Sequence, residues 1–418
     1  MAYSSHCLCC RSRFWQRRPT GSRCKIWKSA RGRSCGRPLI DGHNDLPSRL
    51  LDPELANGDL ARFDFRAVQP KYPADLPRLR EGGVGAQFWA AYVDVAYIKR
   101  HESLREALRE IDVIHQLVER YPELRLVTTA DEIEQAHHAG AIGSLIGVEG
   151  GHAIENSLAS LRLFHRLGVR YMTLTHWDTI DWADAATGPA NHQGLTAFGE
   201  EVVREMNRLG MFVDLSHVSA DTMRDALRVT QAPLIFSHSN ARAVADHPRN
   251  VPDDVLRPVA ANGGVVMVNF IDAYVAPGAP VWSARRVGER DRLRSQVSEA
   301  GIVAERLREW ERQNPPPRGS VADVATHIDH IRRVTGVDHV GIGSDFYNDG
   351  MTDMVPGLEN PSRFPALFAE LLRRGYTPED LKKIAGQNLL RAMRQMERVS
   401  ARLRRERPPS TSTFAEAR

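Results

Sequence analysis

Histidine, aspartate and glutamate residues recur along this chain at the ends of short apolar segments. Six such endings follow one another in the sequence: Asp41-Gly-His-Asn-Asp45, Gly147-Val-Glu-Gly-Gly-His152, Leu174-Thr-His176, Asp214-Leu-Ser-His217, Phe236-Ser-His238 and Gly343-Ser-Asp345. Neutral imidazoles and carboxylates are ligands for Zn²⁺ and similar divalent ions. The recurrence of these residue types predicts a metal site.

The spacing of the candidate ligands suits two ions. His43 and Asp45 are two residues apart on an extended segment, so their side chains point to the same side and can bind one ion together. His217 and His238 follow neighbouring strands, and Glu149 completes a set that could hold two ions sharing one carboxylate. Any one of these histidines, taken alone, is more often a core or surface residue. The prediction therefore rests on five potential ligands at the ends of four strands.

The elements that must position these residues alternate regularly. Eight apolar, β-rich segments cover residues 38–41, 86–93, 144–149, 171–176, 211–217, 233–238, 264–270 and 339–345. Amphipathic helical stretches lie between them, and this alternation is typical of a parallel sheet that is buried on both faces. We predict an α/β fold of the distorted (β/α)₈ TIM-barrel type with a single catalytic domain, whose strand ends converge on one mouth.

Charge and cysteine content divide the chain near residue 37. The 418 residues carry a formal net charge of +4, yet residues 1–37 hold ten basic side chains, no acidic ones and all five cysteines. We predict that residues 1–37 form a disordered basic extension and that residues 38–396 form the catalytic domain. Residues 397–418 are predicted to form a charged tail containing Pro, Ser and Thr, which is disordered after about Glu406. Because the basic excess sits in one terminal segment, we expect no nucleic-acid partner.

The N-terminal segment leaves alternatives open. Its cysteines could bind a metal, although their spacing fits no regular zinc pattern, and its arginine and serine content is compatible with an organelle-targeting peptide. It could also be an extension that depends on where the start codon was assigned. The chain has neither a run of 18 apolar residues nor the apolar core of a secretory signal. We therefore expect no membrane span and a soluble, cytoplasmic protein.

The motifs together resemble the membrane (renal) dipeptidase family of zinc peptidases, within the wider metal-dependent amidohydrolase group. The resemblance runs in order through the family's motifs from residue 38 to residue 394, beginning with Asp41-Gly-His-Asn-Asp-Leu-Pro47. Its other motifs are Gly147-Val-Glu-Gly-Gly-His152, Asp214-Leu-Ser-His217, Ser237-His-Ser239, Arg249-Asn-Val-Pro-Asp-Asp254 and Gly341-Ile-Gly-Ser-Asp345.

The resemblance implies a site with two Zn²⁺ ions per subunit. It implies that His43 and Asp45 bind one ion, that His217 and His238 bind the other, and that Glu149 bridges them. By the same resemblance, His176 contacts the substrate carbonyl and Asp345 is the acid that transfers the proton. Arg249 and Tyr274 match residues that hold the free carboxylate of the substrate. Arg242 is a weaker candidate for that role, since a surface ion pair would also explain it.

The activity implied by the resemblance is hydrolysis of dipeptides by a metal-bridged hydroxide, with tolerance of a C-terminal D-residue. A related amidohydrolase that acts on a lactam or an N-acyl amino acid is the alternative, and a non-catalytic binding protein on an enzyme scaffold is a third possibility. A homodimer is compatible with the resemblance.

Two loops depart from the family pattern. Trp177 follows His176 where the family more often has a small or amide residue. The segment Phe346-Tyr-Asn-Asp-Gly350 is longer than the common one. Both loops should line the mouth, so we expect them to affect substrate preference.

Overall fold

A computed structural model describes residues 38–297, 299–347 and 353–416. The predicted N-terminal extension with its cysteines, and the end of the loop that follows Asp345, lie outside the described residues.

Nine parallel strands among the described residues form one sheet, and eight of them close into a barrel. The strands are β1 (Leu39–Asn44), β2 (Val84–Tyr92), β3 (Leu124–Leu126), β4 (Ile142–Glu149), β5 (Val169–Thr173), β6 (Phe212–Asp214), β7 (Ile235–Phe236), β8 (Val265–Val268) and β9 (Val340–Ile342). The order around the sheet is β2-β1-β9-β8-β7-β6-β5-β4-β3, and a further pairing of β2 with β4 closes the ring. Strand β3 pairs only with β4 and lies outside the ring.

The predicted (β/α)₈ barrel is confirmed. Each of the eight predicted apolar segments contains or overlaps one strand of the ring. Strand β3 was not predicted, because it is only three residues long and only its first residue is fully buried. A segment this short shows neither alternation nor a continuous apolar run.

Fifteen α-helices occur among the described residues and surround the barrel. Their bounds are α1 (Leu46–Leu51), α2 (Leu76–Gly82), α3 (Ser103–Arg120), α4 (Ala130–His138), α5 (Leu158–Arg166), α6 (Ala197–Leu209), α7 (Ala220–Val229), α8 (Asp253–Asn262), α9 (Asp272–Val275), α10 (Ala279–Gln296), α11 (Ala300–Gln313), α12 (Val321–Thr335), α13 (Phe364–Arg373), α14 (Pro378–Lys382) and α15 (Asn388–Glu406). None of the described helices combines the length and apolarity that crossing a bilayer requires.

Local sequence signals fix several of the helix starts. Thr129 begins α4 with a capping box, in which its side chain and that of Glu132 each accept a hydrogen bond from the other's backbone N–H. Thr377 and Asp380 form the same arrangement at α14, with Pro378 at the first helical position. These caps satisfy N–H groups that have no partner inside the helix.

The C-terminal segment differs from the prediction of a separate tail. Helix α15 continues through residue 396 to Glu406, and Met393 and Met396 on it pack against buried barrel residues. Residues beyond it were expected to be disordered, yet the ring of Phe414 lies 5.4 Å from that of Phe198 on α6. Ser410 Oγ also donates to Glu201 Oε2 at 3.2 Å. The tail thus lies along α6.

Candidate metal centre

The predicted site residues meet at the carboxyl ends of the barrel strands. His43 and Glu149 lie at the ends of β1 and β4, and the others follow the last residues of β5, β6, β7 and β9 by two or three positions. All six are at most 7% exposed: His43, Glu149, His176, His217, His238 and Asp345. This convergence follows from the barrel, since parallel strands bring their carboxyl ends to the same face.

The first ligand group combines His43, Asp45 and Glu149. His43 Nε2 lies 3.4 Å from Asp45 Oδ1 and 3.5 Å from Glu149 Oε2. His43 Nε2 and Asp45 Oδ1 are buried and make no hydrogen bond within the described residues. Buried polar atoms normally have partners, so two such atoms that face each other fit a shared cation.

The second group uses the other oxygen of Glu149. Oε1 lies 3.0 Å from His217 Nε2 and 3.4 Å from His238 Nε2, and the two histidine nitrogens are 2.9 Å apart. Glu149 therefore directs one carboxylate oxygen toward each group. A single carboxylate in this position can bridge two ions.

The ionisation of the second group suits a metal. Burial lowers the pKa of both His217 and His238 well below the usual range, so both rings are neutral at pH 7. Burial opposes ionisation of Glu149, but His43 and His176 and hydrogen bonds from the other two histidines hold its pKa well below its usual range. Neutral imidazoles and an ionised carboxylate are the forms that bind divalent metals.

In the first ligand group, the surroundings of His43 favour a positive charge. Burial lowers the pKa of His43, but neighbouring Tyr171, Asp45 and Glu149 raise it well above its usual range. Three sets of ligand atoms lie within 4.8 Å of one another, drawn from His43, Asp45 and Glu149, from Glu149, His217 and His238, and from His43, His238 and Asp345. Nitrogen and oxygen donors in these sets are compatible with zinc and other divalent ions.

Tyr171 orients His43, a contact that the motifs did not predict. Its hydroxyl lies 2.8 Å from His43 Nδ1, which leaves Nε2 directed at the carboxylates. Gly147 makes room for this ring, since a Cβ atom there would lie 2.0 Å from Tyr171 Cζ. Two features of the sequence could have pointed to this contact: a tyrosine inside an apolar strand, and a glycine two residues before the proposed bridging glutamate.

A hydrogen-bonded chain orients His238. Ser237 Oγ lies 2.8 Å from His238 Nδ1 and donates to Asp214 Oδ2 at 2.5 Å. Asp214 also accepts from Thr173 Oγ1 at 2.6 Å and from the backbone N–H groups of Ser216 and Ser237. Partners of this kind fix the ring orientation of metal-binding histidines.

Two of the site residues have left-handed backbone conformations. His217 has φ 68° and Asp345 has φ 64°. Non-glycine residues are uncommon there, and such conformations persist where the surrounding structure enforces them, often at functional sites.

Burial changes the ionisation of Asp345. Burial, the largest cause, raises its pKa to about 8, against the lowering effect of His43. A group with a pKa near the working pH can both accept and donate a proton.

His176 lies between two aromatic rings. Its ring centroid is 4.9 Å from that of Tyr92 and 5.0 Å from that of Trp177. Burial lowers the pKa of His176 to about 4, so the ring is neutral at pH 7. Its Nε2 lies 4.0 Å from Glu149 Oε1, beside the second ligand group.

Arg249 is a buried cation, only 1% exposed, beside the second ligand group. Its guanidinium lies 5.2 Å from the centroid of the Tyr274 ring, whose hydroxyl it also contacts, and it donates to Ser239 Oγ and to the His238 carbonyl, both at 3.4 Å. No carboxylate pairs with it among the described residues. A buried charge is costly without a partner, so the position suits an anionic ligand.

Arg242, the weaker candidate, makes other contacts. Its guanidinium donates to the carbonyl oxygens of His247 and Pro248 at 3.3 and 2.8 Å. It therefore stabilises the loop that leads to Arg249, and it forms no ion pair with an acidic side chain in the described part of the chain.

Sequence comparison identifies the family. A family model described as Membrane dipeptidase (Peptidase family M19) matches residues 35–407. The chain belongs to this family. The predicted family is thus confirmed, and membership in a metallopeptidase family implies a metal cofactor.

Individual relatives agree with this membership. The chain is 42% identical over 367 residues to Dipeptidase 3 of Mus musculus, which is 87% of this chain and 65% of the mouse protein. The chain thus spans less than two thirds of that relative's length.

Two solved metallopeptidase structures share the fold. Dipeptidase AC, a metallopeptidase of family M19, is 26% identical with a TM-score of 0.69 over 86% of this chain and 99% of its own. A Rhodobacter sphaeroides metallopeptidase liganded with a phosphinate mimic of the dipeptide L-Ala-D-Ala is 25% identical with a TM-score of 0.69, over 86% of this chain and 99% of that one.

Proposed function

We propose that this protein is a dipeptidase with two zinc ions, held by His43 and Asp45 on one side and by His217 and His238 on the other, with Glu149 between them. The observation that carries the proposal is the direction of the two Glu149 oxygens, one 3.5 Å from His43 Nε2 and the other 3.0 Å from His217 Nε2. When bound, such ions supply hydroxide at neutral pH and polarise the peptide carbonyl.

His176 provides the donor for the developing oxyanion. The neutral ring can carry its proton on Nε2, beside the ligand groups, and donate it in a hydrogen bond to the carbonyl oxygen of the scissile peptide. Such a donor strengthens as charge develops on the oxygen, and one well-placed donor contributes about 3 kcal/mol.

Asp345 transfers the proton. As a carboxylate it accepts a proton from the attacking water, and as an acid it donates that proton to the nitrogen of the leaving amine. Its pKa of about 8 keeps both forms accessible near neutral pH.

Arg249 and Tyr274 bind the free carboxylate of the substrate. A guanidinium can donate to both carboxylate oxygens, and Arg249 is buried with no acidic partner among the described residues. A required terminal carboxylate close to the scissile bond restricts cleavage to very short peptides.

Tolerance of a C-terminal D-residue is part of the proposal. Its support is the R. sphaeroides relative, which was solved with a mimic of L-Ala-D-Ala.

The test compares L-Ala-L-Ala, L-Ala-D-Ala and L-Ala-L-Ala amide as substrates of the zinc-loaded protein and of Arg249→Ala. We expect both free dipeptides to be cleaved, the amide to be a poor substrate, and R249A to lose at least about 100-fold in kcat/KM on the free dipeptides only. Cleavage of the amide by wild type as fast as that of the free dipeptides, and unchanged in R249A, would favour an amidohydrolase of another specificity.

Homodimer formation and cytoplasmic location stay predictions. Light scattering coupled to size-exclusion chromatography would measure the oligomeric state. Fluorescence microscopy of the tagged full chain would show its location in the cell.

A further inference from the structure

Trp177 exposes an unusual amount of apolar surface at the mouth of the barrel. Its side chain is 39% exposed, and the only other aromatic residue among the described residues with comparable exposure is Tyr347, at 36%. Both follow a proposed site residue by one or two positions. Tryptophan is normally well buried, so an exposed indole beside a functional site suggests a contact surface for a ligand.

The Trp177 indole borders the reacting groups. Its ring centroid lies 5.0 Å from that of His176 and 5.1 Å from that of His217, almost perpendicular to the latter at 85°. One side of the indole thus contacts the proposed carbonyl donor and a proposed metal ligand. About two fifths of the residue, 39%, is exposed to solvent beside these groups.

The backbone that carries Trp177 is fixed in place. Its carbonyl oxygen accepts from Thr187 Oγ1 at 2.7 Å. In the same loop Thr179 Oγ1 donates to the Pro189 carbonyl at 2.6 Å, and Ala186 N–H donates to the His217 carbonyl at 2.7 Å. A rigid aromatic side chain on an ordered backbone loses little conformational entropy when it packs against a ligand.

We propose that Trp177 forms a wall of the substrate pocket and selects dipeptides with an aromatic or large aliphatic side chain next to the scissile bond. This inference rests on the proposed dipeptidase function, which brings the substrate carbonyl to His176. A side chain on either residue of the dipeptide then lies within reach of the indole. Burial of apolar surface against the ring stabilises the complex with a large substrate and does little for a small one.

The experiment measures kcat and KM for Ala-Ala, Phe-Ala and Ala-Phe with wild type, Trp177→Ala and Trp177→Phe, all zinc-loaded. Leu163→Ala is the matched control, since Leu163 is an exposed apolar residue on α5, 53% exposed, outside the mouth. Metal content and circular dichroism of each variant show whether the site and fold are intact.

We expect wild type to prefer at least one phenylalanine dipeptide over Ala-Ala by about tenfold or more. W177A should lose this preference mainly through a higher KM for the phenylalanine dipeptide, so that the ratio of its kcat/KM to that of Ala-Ala falls toward one, whereas W177F and L163A should retain the preference. Absence of the preference in wild type, or an equal loss on all three substrates in a metal-replete W177A, would overturn the inference.

A failure of the proposed dipeptidase function can be distinguished from a failure of the inference about Trp177. If zinc-loaded wild type cleaves none of the three dipeptides, the dipeptidase proposal fails and selectivity is then measured by calorimetric binding of the same compounds. Tighter binding of a phenylalanine dipeptide to wild type than to W177A would still support the wall. Equal affinities would reject it.

Discussion

At the scale of single residues, the orientation of the histidine rings decides what they can bind. His43 Nδ1 is occupied by the Tyr171 hydroxyl at 2.8 Å, so only Nε2 is available to an ion. Removing such a partner typically lowers metal affinity by about 10–100-fold. We expect Tyr171→Phe to weaken binding of one zinc ion by that factor and to leave the barrel folded, as measured by competition with a chromogenic chelator.

Tyr121 offers a matched control for Tyr171→Phe. It is also buried, and its hydroxyl donates to the Phe63 carbonyl at 2.7 Å, within another part of the chain. Tyr121→Phe should cost about 1 kcal/mol of stability and leave zinc affinity unchanged. An unchanged affinity in Y171F, or equal losses in both variants, would contradict the role assigned to Tyr171.

The contacts that orient the ligands could not be predicted from the motifs. Spacing predicted that the side chains of His43 and Asp45 point to the same side, and in the structure His43 Nε2 lies 3.4 Å from Asp45 Oδ1, although Asp45 follows the strand as a helix N-cap. Tyr171, by contrast, is 128 residues from His43 and meets it only across the closed barrel. The left-handed backbone at His217 likewise depends on surrounding contacts, because histidine has no local requirement for it.

At the scale of elements, His327 links α12 to the loops that support the mouth. Its Nδ1 accepts from Ala241 N–H at 3.1 Å and its Nε2 donates to the Val275 carbonyl at 3.1 Å, so the neutral ring satisfies both. Burial lowers its pKa to about 4, whereas the unfolded chain has the ordinary value near 6.5. Between these values the unfolded state binds the extra proton, so stability falls as pH falls from 6.5 toward 4.

We therefore expect His327→Gln to flatten part of the pH dependence of unfolding. When the pH falls from 7.5 to 4.5, protonation linked to His327 should lower the free energy of unfolding of wild type by an amount on the order of 2 kcal/mol. The variant should lack this part of the decrease. Urea unfolding of both chelated proteins at these pH values measures the difference. Parallel curves for the two proteins would show that His327 titrates as an ordinary histidine.

The C-terminal tail packs against helix α6. Composition predicted disorder because Arg407-Pro-Pro-Ser-Thr-Ser-Thr is polar and lacks periodicity. The ring contact of Phe414 with Phe198, 5.4 Å between centroids, is a long-range contact that local composition does not encode.

Phe414→Ala should lower the free energy of unfolding by about 1–2 kcal/mol, whereas Thr411→Ala, exposed in the same tail, should not. Equal stability of F414A and wild type in urea would mean that the tail is not docked.

At the scale of the whole molecule, the barrel was the most predictable feature. Few folds other than a parallel barrel accommodate continuous apolar strands that alternate with amphipathic helices. The parallel order of the strands then brings their carboxyl ends together. Only β3 was missed, and it lies outside the ring. Substrate preference was not predictable, because it depends on loops such as the one that carries Trp177.

The proposed ligands come from β1, β4 and the loops after β6 and β7, so bound ions would connect distant parts of the ring. A ligand that binds only the folded state stabilises it by about 2.7 kcal/mol at 100 times its dissociation constant. We expect chelation to lower the Tm by several degrees and added zinc to restore it. A Tm that is independent of metal would contradict binding at these sites.

A zinc titration of the chelated protein, with dipeptide hydrolysis as the readout, tests whether two zinc ions at Glu149 are required for activity. The account predicts no turnover without metal and activity that reaches its plateau at two zinc ions per chain, with Glu149→Gln inactive throughout. Full turnover after complete metal removal, or a plateau in E149Q equal to that of wild type, would contradict it.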